Sequence, residues 1–331
     1  MNRRDLLKQS VFIAGSAFNI PVLTESSFLS KLSSTPTAPA SLQLQIGDLE
    51  TTVFFDGVVS LPSYQPVFAP EVPPDELRQQ LQKLHMPIQM AEAGINVLLI
   101  RKGGRIILMD TGFGHLNPNA GKLVPALQAL GVQPRDVTDI IITHAHIDHV
   151  GGILDADDHP VFPSAVYHIA KKEYEFWMSA NPDFSRSKGD SANAAFSISF
   201  ARKVLGAVKS KLNIFEYGQE LFSCIIPELA EGHTPGHTMF TIYSGNKSLQ
   251  HIVDTFHLPL LVSHPHWGCQ WDTDFDKAVA TRRKIVRQGA EQGTLFLSCH
   301  LPWPGLGYID KAGEDYYWMI YPGSSPNKIT L

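Results

Sequence analysis

Beyond residue 40 the chain alternates short apolar runs with polar breaks that carry glycine or proline. Runs at 43–46 and 52–55, around a Gly47 turn, have the length and alternation of strands, as do 96–100 and 105–109 about Gly103-Gly104. Residues 61–74, rich in proline and aromatics, read as an extended loop, and 75–84 as a helix. Apolar positions at helical spacing predict helices over 123–130, 171–178, 194–209 and 277–288. Further strand-like runs lie at 137–142, 221–226, 239–243, 251–253 and 294–298, and 316–321 is placed to close a sheet edge. Strands and helices interleave with no internal linker and no short repeat, which predicts one layered α/β domain over 41–331.

The first forty residues differ. Arg3 and Arg4 precede a mild apolar stretch at 11–20, and Ala38-Pro39-Ala40 offers a small-residue cleavage site. This resembles an export signal of the twin-arginine type, which predicts a periplasmic or secreted protein; a cytoplasmic tail with a chance arginine pair is the alternative. The apolar stretch is too short for a stable membrane span.

Charge narrows the partners. With 27 Lys and Arg against 32 Asp and Glu, the net charge of −5 supplies no field for nucleic acid. A small-molecule substrate is expected instead, and a homodimer is compatible with the Trp267–Trp271 region as a lid or subunit contact. The 3 Cys form no CxxC pair, so a cysteine-rich zinc site is not indicated.

The chemistry lies in polar residues that follow apolar runs. Thr143-His144-Ala145-His146-Ile147-Asp148-His149 places four metal-capable side chains just past the 137–142 strand. Extended backbone sends His144 and His146 from one face, and a turn at Gly151-Gly152 brings Asp148 and His149 towards a second position. In Gly232-His233-Thr234-Pro235-Gly236-His237-Thr238, His237 stands directly before a strand and is the better ligand candidate, with His233 orienting the loop. Asp254 and His300 each close a strand-like run, and a carboxylate at 254 has two oxygens with which to bridge two cations.

These motifs, with Asp110-Thr111-Gly112, resemble the metallo-β-lactamase superfamily over roughly residues 42–321, and within it the methyl parathion hydrolase-like branch. The resemblance implies a four-layer αββα sandwich. It assigns His144, His146 and His237 to one metal, Asp148, His149 and His300 to another, Asp254 to both, and Asp110 to bracing the ligand loop. Zn²⁺ is the default ion, with Mn²⁺, Co²⁺ and Fe²⁺ as alternatives for this oxygen and nitrogen donor set. Two such ions would hold a bridging hydroxide for attack on compact apolar esters: phosphotriesters, aryl esters or lactones. Asp148 is a candidate proton carrier beside the nucleophile, and Asp254 is essential to the centre. Phe113, Trp177 and Trp303 are candidates for the substrate wall, with core packing the alternative for Trp177; His257 is a candidate for an added polar contact, while His264 and His266 read as surface-loop residues. Val253 stands where relatives commonly have glycine, and no tyrosine follows Asp254 closely, which weighs against a lactonase. The competing readings are a β-lactam or thioester hydrolase and, from another class, a di-iron redox protein.

Overall fold

The computed structural model describes residues 40–321 and 328–331; the segment read as an export signal lies outside them except for Ala40. Eight strands form one sheet. In chain order they are β1 (Ala40–Ile46), β2 (Leu49–Leu61), β3 (Ala91–Lys102), β4 (Arg105–Met109), β5 (Asp139–Ile142), β6 (Val166–Ala170), β7 (Leu212–Phe215) and β14 (Lys328–Thr330). They lie side by side as β14-β1-β2-β3-β4-β5-β6-β7. The second sheet has the order β13-β12-β11-β10-β9-β8, from β8 (Ile225–Leu229), β9 (Thr238–Ser244), β10 (Lys247–Val253), β11 (Phe296–Ser298), β12 (Leu306–Ala312) and β13 (Asp315–Ile320). Both sheets mix parallel and antiparallel pairs.

The layers follow from which side chains need cover. On β3, Val97 and Leu99 face one core while Leu98 and Ile100 face another, so this strand is apolar on both sides. Leu98 and Ile100 meet Phe240, Ile242 and Leu297 of the other sheet, making the sheet-on-sheet core. The outer face of the first sheet is covered by α2 (Leu123–Ala129), α4 (Lys171–Met178) and α5 (Ser191–Ala207), which bury Leu127, Trp177 and Val204 there. The outer face of the second is covered by α1 (Pro74–Lys83), α6 (Pro259–Ser263) and α7 (Phe275–Gln292), through Leu77, Leu261 and Ile285. This is the expected αββα sandwich. The helix over 171–178 and the edge position of the 316–321 run stand as read. The 221–226 run differs: Phe222 and Ser223 turn with positive φ, and the strand begins at Ile225.

Candidate metal centre

The site forms where strands end. Asp110 follows β4, His144 follows β5, the 232–237 loop joins β8 to β9, Asp254 follows β10 and His300 follows β11. Parallel pairing of β4 with β5 and of β10 with β11 brings these ends to the same edge. Past β5 the chain enters a one-turn helix, α3 (Ile147–Val150), which carries Asp148 and His149. Gly152 lets this segment lie against the Asp110 loop, since a Cβ there would stand 2.2 Å from the Thr111 carbonyl oxygen. Val253 holds φ 48°, a conformation that glycine adopts freely and a β-branched residue rarely does. The substitution noted in the sequence therefore keeps the backbone turn of a glycine and stores strain beside Asp254.

Asp254 is the hub. Its Oδ2 lies 2.9 Å from His300 Nε2, 3.3 Å from His233 Nε2, 3.5 Å from His257 Nε2 and 3.6 Å from His144 Nε2, and its Oδ1 lies 3.2 Å from His149 Nε2. Asp148 Oδ2 approaches His300 Nε2 to 3.3 Å and His149 Nε2 to 3.6 Å. His146 Nδ1 faces His233 Nε2 at 2.9 Å. Among the described residues four overlapping groups of donors result, the atoms of each within 4.8 Å of one another: His144 with His146 and His233, Asp148 with His149, Asp254 and His300, Asp110 with His149 and Cys299, and His233 with Asp254 and His257.

Six of the seven side chains assigned to the metals by resemblance lie in the first two of these groups, and the seventh, His237, does not. His237 Nδ1 donates to the Ala230 carbonyl at 2.9 Å, and its Nε2 accepts the Asp254 backbone N–H at 3.1 Å. Both ring nitrogens are spent on scaffolding, so His237 has no lone pair to offer. His233 takes the place expected of it. The choice of His237 rested on its position directly before β9, but the loop reaches the centre through its first histidine.

A cation fits these donors on three grounds. Among the described residues, His144 Nε2, His149 Nε2 and Asp254 Oδ1 are buried and have no hydrogen-bond partner, a costly arrangement unless something else answers them. Burial also holds the His144 and His146 rings well below the ordinary histidine pKa, leaving neutral rings with free lone pairs. Finally, the far nitrogens of His149, His233 and His300 are anchored. Asp110 Oδ2 accepts from His149 Nδ1 at 2.7 Å, Asp272 Oδ1 lies 3.1 Å from His233 Nδ1, and the Gly94 carbonyl accepts from His300 Nδ1 at 2.7 Å. Asp110 also accepts the Thr143 N–H and hydroxyl, tying the loop that carries His144 to the His149 anchor.

The charges are balanced within the cluster. Burial alone would lower His149 and His233, but the carboxylates outweigh it. Asp254, Asp148 and Asp110 hold His149 well above its usual range, and Asp254 with Asp272 raises His233 to about 9. Burial and the neighbouring His233 push His237 down to about 3. Asp254 stays well below the ordinary carboxyl value although burial opposes it, because His149, His300 and His144 surround it. Arg282, itself buried, pairs with Asp272 at 2.7 Å and completes the line from Arg282 through Asp272 to His233.

A cavity of 620 Å³ opens over the centre, with His146, Asp148, His233, Asp254 and His257 on its floor. Phe113 lines it, joined by Phe184, Phe196, Ile198 and Trp271. The other two aromatic candidates are corrected. Trp177 is wholly buried and donates its Nε1–H to Glu173 at 2.6 Å, and Trp303 packs edge-on against Phe55 at 5.6 Å; neither lines the cavity. His257 stacks on His300, and neither of its ring nitrogens has a hydrogen-bond partner, so of the three extra histidines it is the one that faces the centre. His264 stacks instead on Trp267. The 3 cysteines are free and buried. Among the described residues no helix is long and apolar enough to cross a membrane.

Comparison with known proteins is consistent with this geometry. The family model described as Metallo-beta-lactamase superfamily matches residues 91–256. The structure of AidC, described as a dizinc quorum-quenching lactonase in complex with a product, superimposes with a TM-score of 0.82 at 34% identity, over 86% of this chain and 99% of that one. A hydrolase named AbOPH, in the beta lactamase superfamily, gives 0.77 at 27% identity, over 87% and 99%. Curated relatives match over shorter stretches. An N-acyl homoserine lactonase of Azorhizobium caulinodans is 28% identical over 36% of this chain, and a probable metallo-hydrolase of Mycobacterium tuberculosis is 33% identical over 24%. The chain covers 41% and 29% of those two relatives' lengths.

Proposed function

This chain belongs to the metallo-β-lactamase superfamily, and from that premise we propose that it is a binuclear metal-dependent hydrolase of small, apolar esters and lactones. The observation that carries the reading is a cavity that opens on the donor cluster and is walled by Phe113, Phe184, Phe196, Ile198 and Trp271, with Asp190, Asn193, Gln270 and several serines as its other polar lining. Divalent cations, zinc by the oxygen and nitrogen donor set, would supply Lewis acidity and make water nucleophilic near neutral pH. His144, His146 and His233 would hold one ion, Asp148, His149 and His300 the other, and Asp254 would touch both. Asp148, with a carboxylate oxygen at the cavity floor, is placed to pass a proton to a leaving oxygen. Phe113, Phe184, Phe196 and Trp271 keep bulk water from the reacting group and accept an acyl or aryl portion.

Lactones are the first substrate class, supported by the likeness to AidC along nearly its whole length. Aryl esters and phosphotriesters are the second, favoured by an aromatic wall that suits a planar phenolate leaving group. The test is a hydrolysis screen of zinc-reconstituted and metal-free protein against phenyl acetate, a short lactone, a long-chain acyl homoserine lactone, methyl parathion, a thioester and a β-lactam. Zinc-dependent turnover of the lactones or oxygen esters is expected. Turnover confined to the β-lactam or thioester would overturn the substrate reading, and oxygen consumption without hydrolysis would overturn the reaction class.

We further propose that residues 1–40 direct export. Replacing Arg3 and Arg4 by lysine should retain the protein in the cytoplasm; unchanged fractionation would reject it.

A further inference from the structure

Behind the donor cluster, and outside the cavity, one carboxylate joins two loops. Glu173, in the first turn of α4, is fully buried. Its Oε1 accepts the Ala145 N–H at 2.9 Å and the Trp177 Nε1–H at 2.6 Å. Its Oε2 accepts the Thr234 hydroxyl at 2.6 Å and the Gly236 N–H at 3.1 Å. Ala145 lies between His144 and His146, and Thr234 follows His233. The approach is close enough that a Cβ on Gly236 would stand 2.2 Å from the Glu173 backbone nitrogen.

We propose that Glu173 is a positioning residue that sets one cation site, that of His144, His146 and His233, without touching cation or substrate. The inference rests on the binuclear reading above. Those three nitrogens come from two loops separated widely in sequence, and Glu173 grips both. The other direct tie found between these loops behind the ligands is the backbone bond from Thr238 N to Thr143 O at 3.2 Å. The second group is anchored elsewhere, His149 by Asp110 and His300 by the Gly94 carbonyl. Loss of the Glu173 grip should therefore act on one site and spare the other. Three of its four donors are N–H groups that can only donate, and they are divided between the two oxygens. Glutamine has the same shape but turns one of those oxygens into a donor, which sets N–H against N–H at one loop or the other.

The test titrates metal-free protein with Co²⁺, following heat and visible absorption to resolve two binding steps. Glu173→Gln should weaken one step about 10- to 100-fold, the usual effect of removing a group that orients a ligand, and leave the other unchanged. Thr234→Val, which removes one of the four donors and keeps the carboxylate, should weaken the same step by less. Val204→Ala, a core truncation in the cluster that also buries Trp177, controls for stability and should leave both steps unchanged. Equal weakening of both steps by Glu173→Gln, or two unchanged steps, would overturn the positioning role while leaving the binuclear reading intact. A wild-type protein that takes up fewer than two ions would overturn both. Should Glu173→Gln fail to fold, an unchanged titration of Thr234→Val would itself count against the proposal.

Discussion

Strand β5 has a polar cluster around a buried aspartate near each end, and histidine joins the aspartate in both. At its start, Asp139 accepts from Arg105 at 2.9 and 3.1 Å, from the Thr138 hydroxyl at 2.7 Å and from His168 Nε2 at 2.9 Å, while His168 Nδ1 meets Asn213 at 3.1 Å. The acid, the histidine and the arginine answer one another. Past its end, His144, His149 and Asp254 crowd together, and His144 Nε2, His149 Nε2 and Asp254 Oδ1 have no hydrogen-bond partner among the described residues. An unanswered buried polar atom costs about 1–3 kcal/mol, so a fold that keeps several in one place is completed by something the chain does not supply. Histidine and aspartate in a core are therefore not informative by themselves; the state of their free lone pairs is.

The contrast can be broken most severely at the unsatisfied end. Chelation of the metals, or Asp254→Ala, should lower kcat/KM by on the order of 10³ or more, and zinc should restore the chelated wild type but not the variant. Steady-state hydrolysis with matched metal analysis decides this, and retained turnover at full occupancy would remove Asp254 from its role. The two histidines of the 232–237 loop sharpen the contrast within one turn. His233→Ala should lose an ion and most activity. His237→Ala should keep two ions while losing about 2–3 kcal/mol of stability from two buried hydrogen bonds. The reverse pattern in metal content would restore His237 as the ligand.

The satisfied end should respond in stability alone. Asp139→Asn should cost about 1–3 kcal/mol with metal content unchanged. Burial pushes the Asp139 carboxyl up, but His168, the Thr138 hydroxyl and Arg105 outweigh it and hold it below the ordinary value. A carboxyl lowered on folding stabilises above its unfolded pKa and loses that contribution as pH falls through the folded one. The gap in melting temperature between wild type and Asp139→Asn should thus be full above about pH 4 and shrink below it, as thermal scans across pH would show. The smallest effect is expected at the cavity mouth. Phe196, 55% exposed, should on replacement by alanine raise KM about 3- to 10-fold for long acyl substrates with little change in kcat. An equal effect on phenyl acetate would argue that it does not contact an acyl chain.

The legible parts of the sequence were those written by period and by local density. Strands with both faces apolar, as in β3, and the helix over 171–178 follow from spacing. The 144–149 motif is dense enough to mark the centre without a partner. The loop at 232–237 shows where that reasoning stops. Its two histidines are four positions apart and chemically identical, and the choice between them is made by Ala230, Asp254 and Asp272, which no local pattern connects. The aromatic wall was misplaced for the same reason. Trp177 sits on the buried face of α4, whereas Phe184 comes from a serine-rich stretch with no apolar period and Phe196 lies in the helix read over 194–209, whose spacing does not mark it as a wall residue. Glu173 has no sequence signal beyond a charged residue on an otherwise half-apolar helix.

The central claim is that the unanswered atoms past β5 are ligands. Crystals of the zinc-loaded protein, measured on both sides of the zinc absorption edge, test it most directly. Two anomalous peaks are predicted, one among His144, His146 and His233 and one among Asp148, His149 and His300, with Asp254 reaching both. A single peak, none, or a peak coordinated by His237 would contradict the account.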